Sequence, residues 1–249
     1  MTIMISRRCT LALMTATALV PTIALAGGSK LTPLPSAMPK AEGVAVPSAL
    51  SPELMQVQAV QGFMPLENPT SLLKYYGFGG DGPIVPAANS VQGKDNTVEA
   101  TKTEPDKNTY LVLEDQKGPD ASYNYGSHFL FQGHESGPNG EDGKAQGMLT
   151  RINLDADAAH RVTLMADETT NGMAIPTIDG SSWDPFAQRL LLTSEEGTKG
   201  GVWQATIDFP SKVEDLTGII GNASYEGVQV DPNGAIWLVE DVPTSGSYL

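Results

Sequence analysis

Between Tyr110 and Asp241 the chain alternates short apolar runs with breaks rich in Gly, Asn, Asp and Pro. The runs are YLVLE (Tyr110–Glu114), HFLFQ (His128–Gln132), GMLTRINLD (Gly147–Asp155) and RVTLMA (Arg161–Ala166), followed by RLLLTSEE (Arg189–Glu196), GVWQATID (Gly201–Asp208), GVQVD (Gly227–Asp231) and AIWLVED (Ala235–Asp241). Residues of this kind, in runs of this length between turn signals, predict β-strands, and no helical periodicity extends beyond a few turns. The fold class is therefore all-β: a sandwich, a barrel or a propeller. Asp231-Pro-Asn-Gly, directly before AIW, predicts a tight β-hairpin turn with Gly234 in a left-handed conformation. The strand pairs at 189–208 and 227–241 are spaced by about one four-stranded propeller blade of roughly 40–45 residues. That spacing favours a β-propeller, with Trp183, Trp203 and Trp237 in the blade cores. The runs make only about two blades, whereas a closed propeller needs at least about four. The expectation is a partial propeller: a truncated piece of a longer one, or an open part that pairs with something else.

The segments before the strands read differently. Residues 1–26 form a leader in which Arg7 and Arg8 precede the apolar stretch Cys9–Ala26, and Ala24-Leu25-Ala26 supplies a cleavage signal. This predicts export to the periplasm or beyond, and Ser6-Arg7-Arg8 fits the twin-arginine route. Residues 27–60 are a Pro- and Ala-rich arm, in which Ser51-Pro52-Glu53 predicts the cap and first turn of one short helix. Residues 61–249 make up the partial propeller domain. Gly77–Gly82 matches G-x-G-x-x-G but leads into Pro83 rather than a helix, so it reads as a loop.

The polar positions bring in chemistry. RLLLTSEE ends on Glu195 and Glu196, ASYEG carries Glu226, AIWLVED ends on Glu240 and Asp241, and HFLFQGHE ends on His134 and Glu135. Unpaired carboxylates are costly to bury, so acids repeated at the ends of apolar strands point to convergence on a bound cation. Cys9 is the chain's sole cysteine and lies in the leader, which excludes a disulfide, a thiolate ligand and a cysteine nucleophile from the exported part. The net charge is −14, and losing Arg7 and Arg8 makes the remainder more acidic still. With no basic stripe, neither nucleic acid nor an anionic membrane surface is an expected partner. G-x-S-x-G and H-E-x-x-H are both absent, so no serine or zincin mechanism is signalled.

The succession GHE (Gly133–Glu135), DGSSWDPFAQRLLLTSEE (Asp179–Glu196) and ASYEG…WLVED (Ala223–Asp241) resembles the PhoX family of secreted alkaline phosphatases, over about Tyr110–Asp241. The resemblance implies a six-bladed propeller whose funnel binds calcium and iron ions and hydrolyses phosphate esters, with this chain matching the N-terminal part of that domain and further blades to follow. By position, Glu135, Glu195, Glu196, Glu226 and Asp241 fall on the family's acids, and Asp179 stands where the family has a metal-binding cysteine. Gly133 replaces an asparagine and Tyr225 a histidine. Carboxylate in place of thiolate favours Ca²⁺, Mg²⁺ or Fe³⁺ held by oxygen alone, with Ca²⁺ the ion that the resemblance implies first. The expected metal set is thus Glu135, Asp179, Glu195, Glu196, Glu226 and Asp241, acting on a small phosphate ester. Two alternatives remain open: a calcium-dependent lactonase or esterase on a propeller, and a non-catalytic fragment that binds a partner through open edge strands.

Overall fold

The computed structural model describes residues 31–32, 51–55, 57–62, 64–77, 105–137 and 146–241. The leader, most of the arm and the glycine loop beyond Gly77 lie outside them. Every apolar run becomes a strand, and two further strands join them. The first antiparallel sheet is β1 (Pro105–Val112), β2 (His128–His134), β3 (Leu149–Asn153) and β4 (Val162–Ala166), in that order. The second is β5 (Ser181–Asp184), β6 (Arg189–Ser194), β7 (Gly201–Ala205) and β8 (Val213–Asp215). One helical turn, α1 (Thr217–Ile220), leads to a two-stranded sheet of β9 (Tyr225–Val230) and β10 (Ile236–Glu240). The described fold is all-β with almost no helix, and none of the three sheets closes on itself.

Strand alternation stacks the sheets in sequence. Successive side chains point to opposite faces, so Phe129 and Phe131 of β2 meet Leu190 and Leu192 of β6 in one buried core, joined by Leu149, Ile178 and Trp203. Leu130, between the two phenylalanines, turns to the outer face, where Leu66, Leu73 and Tyr76 from 64–77 cover it. Leu191, between the two leucines, turns toward Val228 and Val230 of β9. Each such side chain removed from water contributes roughly 1.5–3 kcal/mol, and this double-sided burial fixes the strand register. The first strands of the sheets are neighbours, β1 against β5 and β5 against β9.

Two expectations are corrected and a third is met. Ser51 does not cap a helix: residues 51–55 form a single turn closed by Leu54 N–H to the Ser51 carbonyl at 2.9 Å, and the Ser51 hydroxyl donates to the Glu53 carboxylate. Trp203 is buried and Trp183 packs at the edge of the same core, but Trp237 is 63% exposed, because nothing among the described residues covers that face of β10. The Asp231 turn forms as expected: Gly234 has φ +85°, and Asp231 Oδ1 accepts the amides of Asn233 and Ala235 at 2.8 and 3.0 Å.

The segment 64–77 is held to the first sheet by charge as well as by apolar contact. Glu67 accepts hydrogen bonds from the Tyr125 hydroxyl and from Thr163 Oγ1. His160 stacks on Tyr123 at 3.7 Å, hydrogen-bonds Asp157 Oδ1 through Nδ1 at 2.9 Å, and points Nε2 at Glu67 (3.9 Å) and Asp120 (3.8 Å). The Asp157 bond, helped by the charges of Glu67 and Asp120, raises the His160 pKa. A histidine whose folded pKa lies above its unfolded value stabilises the fold fully below about pH 6.5, and that contribution is lost as the pH rises through the folded pKa. His160→Gln should therefore lower the urea midpoint more at pH 5.5 than at pH 8.5. Equal losses at both pH values would show that the imidazole acts by packing alone.

Candidate metal centre

In an antiparallel pair the start of one strand lies beside the end of its partner. Each of the three sheets begins with such a hairpin, and the open end of every hairpin carries two acids. Asp106, near the start of β1, accompanies Glu135, just past β2. Asp179, ahead of β5, accompanies Glu195, just past β6, and its amide donates to the Thr193 carbonyl at 2.9 Å. Glu226, second in β9, accompanies Asp241, whose amide donates to the Ser224 carbonyl at 2.9 Å. Because the three hairpins lie side by side, the arrangement sets six carboxylates at one end of the stack.

Backbone bonds tie the hairpin ends together. Lys107 N–H donates to the Asp179 carbonyl at 3.3 Å, and Ile178 N–H to the His134 carbonyl at 2.8 Å, joining the first sheet to the second. Thr193 Oγ1 accepts from Gly180 N–H at 2.9 Å and donates to the Glu226 carbonyl at 3.2 Å. Ser224 Oγ donates to the Glu195 carbonyl at 2.7 Å, which joins the second sheet to the third. Two glycines permit this closeness. A Cβ on Gly180 would stand 2.5 Å from the Glu226 carbonyl oxygen, and one on Gly133 would stand 2.1 Å from Ile178 Cγ2. Gly133 thus makes room for Ile178 next to Asp179. His134 is fully buried, hydrogen-bonded through Nε2 to Thr150 Oγ1 at 2.9 Å and edge-on to Tyr76. Burial pushes its pKa down to about 3, so at neutral pH it is an uncharged anchor for Glu135.

Asp179 is the centre of the group. It is only 3% exposed, and its Oδ2 has no hydrogen-bond partner. Burial, a carboxyl–carboxyl interaction with Asp106 and the charges of Glu195, Asp106 and Glu135 push its pKa up to about 9. Glu195 is also raised, by burial and by the charges of Asp241 and Glu226 against the lowering effect of a side-chain interaction with Asp179, and its Oε1 is buried without a partner. Unsatisfied buried carboxylate oxygens beside like charges are destabilising unless a proton or a cation intervenes. Among the described residues no three His, Cys, Asp or Glu side chains already stand in ligand geometry. The donors nonetheless suit a particular chemistry: carboxylate oxygens with orphaned lone pairs and no thiolate fit Ca²⁺, which accepts many oxygen ligands in flexible geometry.

No family model, curated protein or solved structure matches the chain. Five of the six acids expected from the sequence, Glu135, Asp179, Glu195, Glu226 and Asp241, belong to the group around Asp179 and Glu195. Glu196 stands apart: it is exposed, opens the 3-10 turn Gly197–Lys199, and accepts a hydrogen bond from Thr177 Oγ1 at 3.1 Å. Asp106 was missed, and so was Lys107, whose Nζ donates to the Glu226 carbonyl at 3.2 Å. Asp106 stands to β1 much as Asp179 and Glu226 stand to β5 and β9, at the start of a leading strand, a repetition that only the strand positions reveal.

Proposed function

We propose that this chain is a partial β-propeller of the PhoX type, in which the two four-stranded sheets and the β9–β10 hairpin are consecutive blades, and that its carboxylate end binds Ca²⁺ and hydrolyses phosphate esters. The observation that carries the reading is the buried, partnerless Asp179 Oδ2, whose carboxyl feels the charges of Glu195, Asp106 and Glu135, with Glu195 in turn feeling Asp241 and Glu226. Stacking of β1, β5 and β9 as successive leading strands supports the blade assignment.

Asp106, Asp179, Glu195, Glu226 and Asp241 would hold the cations, with Glu135 contributing from the first hairpin. Bound Ca²⁺ supplies charge neutralisation for a phosphoryl group and acidifies an oxygen nucleophile. The chain's own residues do the positioning. Thr193 and Ser224 lock the hairpin ends at fixed separation, Gly180 allows β9 to approach Asp179, and uncharged His134 holds the strand end that carries Glu135. Fixed placement of charged groups is where most catalytic electrostatic stabilisation originates.

Turnover of p-nitrophenyl phosphate and of an aliphatic lactone, each with Ca²⁺ and with EDTA, tests the reading. The expected result is Ca²⁺-dependent phosphate release exceeding lactone opening. The rate should lie below the roughly 1–1,000 s⁻¹ typical of enzymes, because acids from three adjacent hairpins surround only one side of a cation. Lactone hydrolysis exceeding phosphate release would overturn the assignment, and so would activity unaffected by EDTA.

A further inference from the structure

Six acids meet at the open ends of the hairpins, and one ammonium reaches among them. Lys107 follows Asp106 on β1, and its backbone is clamped: the amide donates to the Asp179 carbonyl at 3.3 Å, and the carbonyl accepts from Gln132 Nε2 at 3.0 Å and from Ser181 Oγ at 3.3 Å. The side chain crosses to β9. Its Nζ donates to the Glu226 carbonyl at 3.2 Å and lies 3.9 Å from Glu226 Oε1. Glycine at position 227 leaves room for it, since a Cβ there would stand 3.3 Å from Nζ. The side chain is nevertheless 44% exposed, so the backbone is anchored while the charge can swing away.

We propose that Lys107 is a tethered counter-cation of the cluster, occupying the Glu226 side of the site in the metal-free protein and competing there with the incoming metal ion. The inference rests on the cation-binding reading above and concerns how that site is regulated. The ammonium and a divalent ion require the same Glu226 oxygens. A compact ammonium on a flexible four-carbon stem is well suited to be displaced, and it carries only one charge where Ca²⁺ brings two. Lys107 therefore has opposite effects in the two states. It relieves repulsion between Glu195 and Glu226 when no metal is present, and it weakens the capture of the ion that would replace it. The cluster is consequently tuned to load at a higher calcium concentration than its bare acid count would give.

Isothermal titration with CaCl₂ and thermal melting of wild type, Lys107→Met, Lys107→Gln and Lys107→Arg test this without any assay of activity. The expected result is Ca²⁺ affinity raised about tenfold or more in the Met and Gln variants, a melting temperature in EDTA below that of wild type, and an Arg variant that stays close to wild type in both measurements. Wild-type protein that takes up no Ca²⁺ would overturn the underlying reading and this inference together. Wild-type binding with Met and Gln variants that match it within twofold would overturn this inference alone. So would reduced affinity in those variants, since Lys107 would then help to build the site rather than compete for it. Circular dichroism in saturating Ca²⁺ confirms that each titrated variant is folded.

Discussion

Millimolar Ca²⁺ should raise the melting temperature of this protein by roughly 5–10 °C over its value in EDTA. A ligand present at a hundred times its Kd stabilises the folded state by about 2.7 kcal/mol, and for a chain of this size each kcal/mol shifts the midpoint by roughly 2–4 °C. The physical source is visible at Asp179. Its carboxyl is almost completely buried with one oxygen unpartnered, and its pKa is pushed up to about 9 by that burial and by Asp106, Glu195 and Glu135. At neutral pH without metal, the cluster is relieved by keeping a proton on Asp179; with metal, the cation takes that place. Asp179→Asn separates the two states. The amide is neutral without the proton that Asp179 must take up on folding at neutral pH, so the variant should melt higher than wild type in EDTA, and it removes the central donor, so most of the calcium-induced gain should vanish. Scanning calorimetry of both proteins in EDTA and in Ca²⁺ checks the reversal of sign. Superimposable wild-type melting curves in the two buffers would remove the metal reading.

How much of this was legible beforehand varies from element to element. All eight apolar runs became strands, because Val, Leu, Ile, Phe and Trp between turn residues leave the chain few alternatives. The Asp231 turn was equally legible, since the Asp231 carboxylate caps the loop locally and Gly234 takes the positive φ. β5 and β8 were not. SSWD has one large apolar residue, and its strand is imposed by pairing with β6 and by the turn in which Asp184 Oδ1 accepts the amides of Phe186 and Ala187. VED is three residues long and is ordered by Trp203, Gln204 and Ala205 across the sheet. In both, tertiary pairing outweighs local preference.

The site divides along the same line. Acids at the ends of apolar strands were readable one strand at a time, but which of them share an end is a property of hairpin topology. Asp106 was passed over because PDKN carries no apolar run of its own, although β1 extends to Pro105 and places Asp106 beside the end of β2. Trp237 erred in the other direction. Its sequence context is that of a core residue, yet its indole is largely exposed and donates to Asp231 Oδ2 at 3.2 Å. A residue pattern records which face of a strand is apolar and is silent on whether another sheet covers it.

Glu195 and Glu196 give the sharpest test of the site, because they are adjacent, chemically identical and differently placed. Side chains alternate along a strand, and β6 ends at Ser194, so the two carboxylates leave its end in different directions. Glu195 points among Asp179, Glu226 and Asp241 with a buried, partnerless Oε1, and its carbonyl is held by Ser224 Oγ. Glu196 is exposed and engages Thr177. Glu195→Gln replaces a charged donor by a neutral amide at the centre of the cluster and should weaken Ca²⁺ binding by a factor of ten or more. Glu196→Gln should change it by less than about threefold, the size expected of a distant exposed charge screened by water and salt. Outer partners of a metal ligand typically contribute 10–100-fold to metal affinity, so a large loss at Glu196 would mean that its bond to Thr177 orients the site. Equal and negligible losses in the two variants, measured by calcium titration, would show that the ends of β6 and β9 do not bind a cation at all.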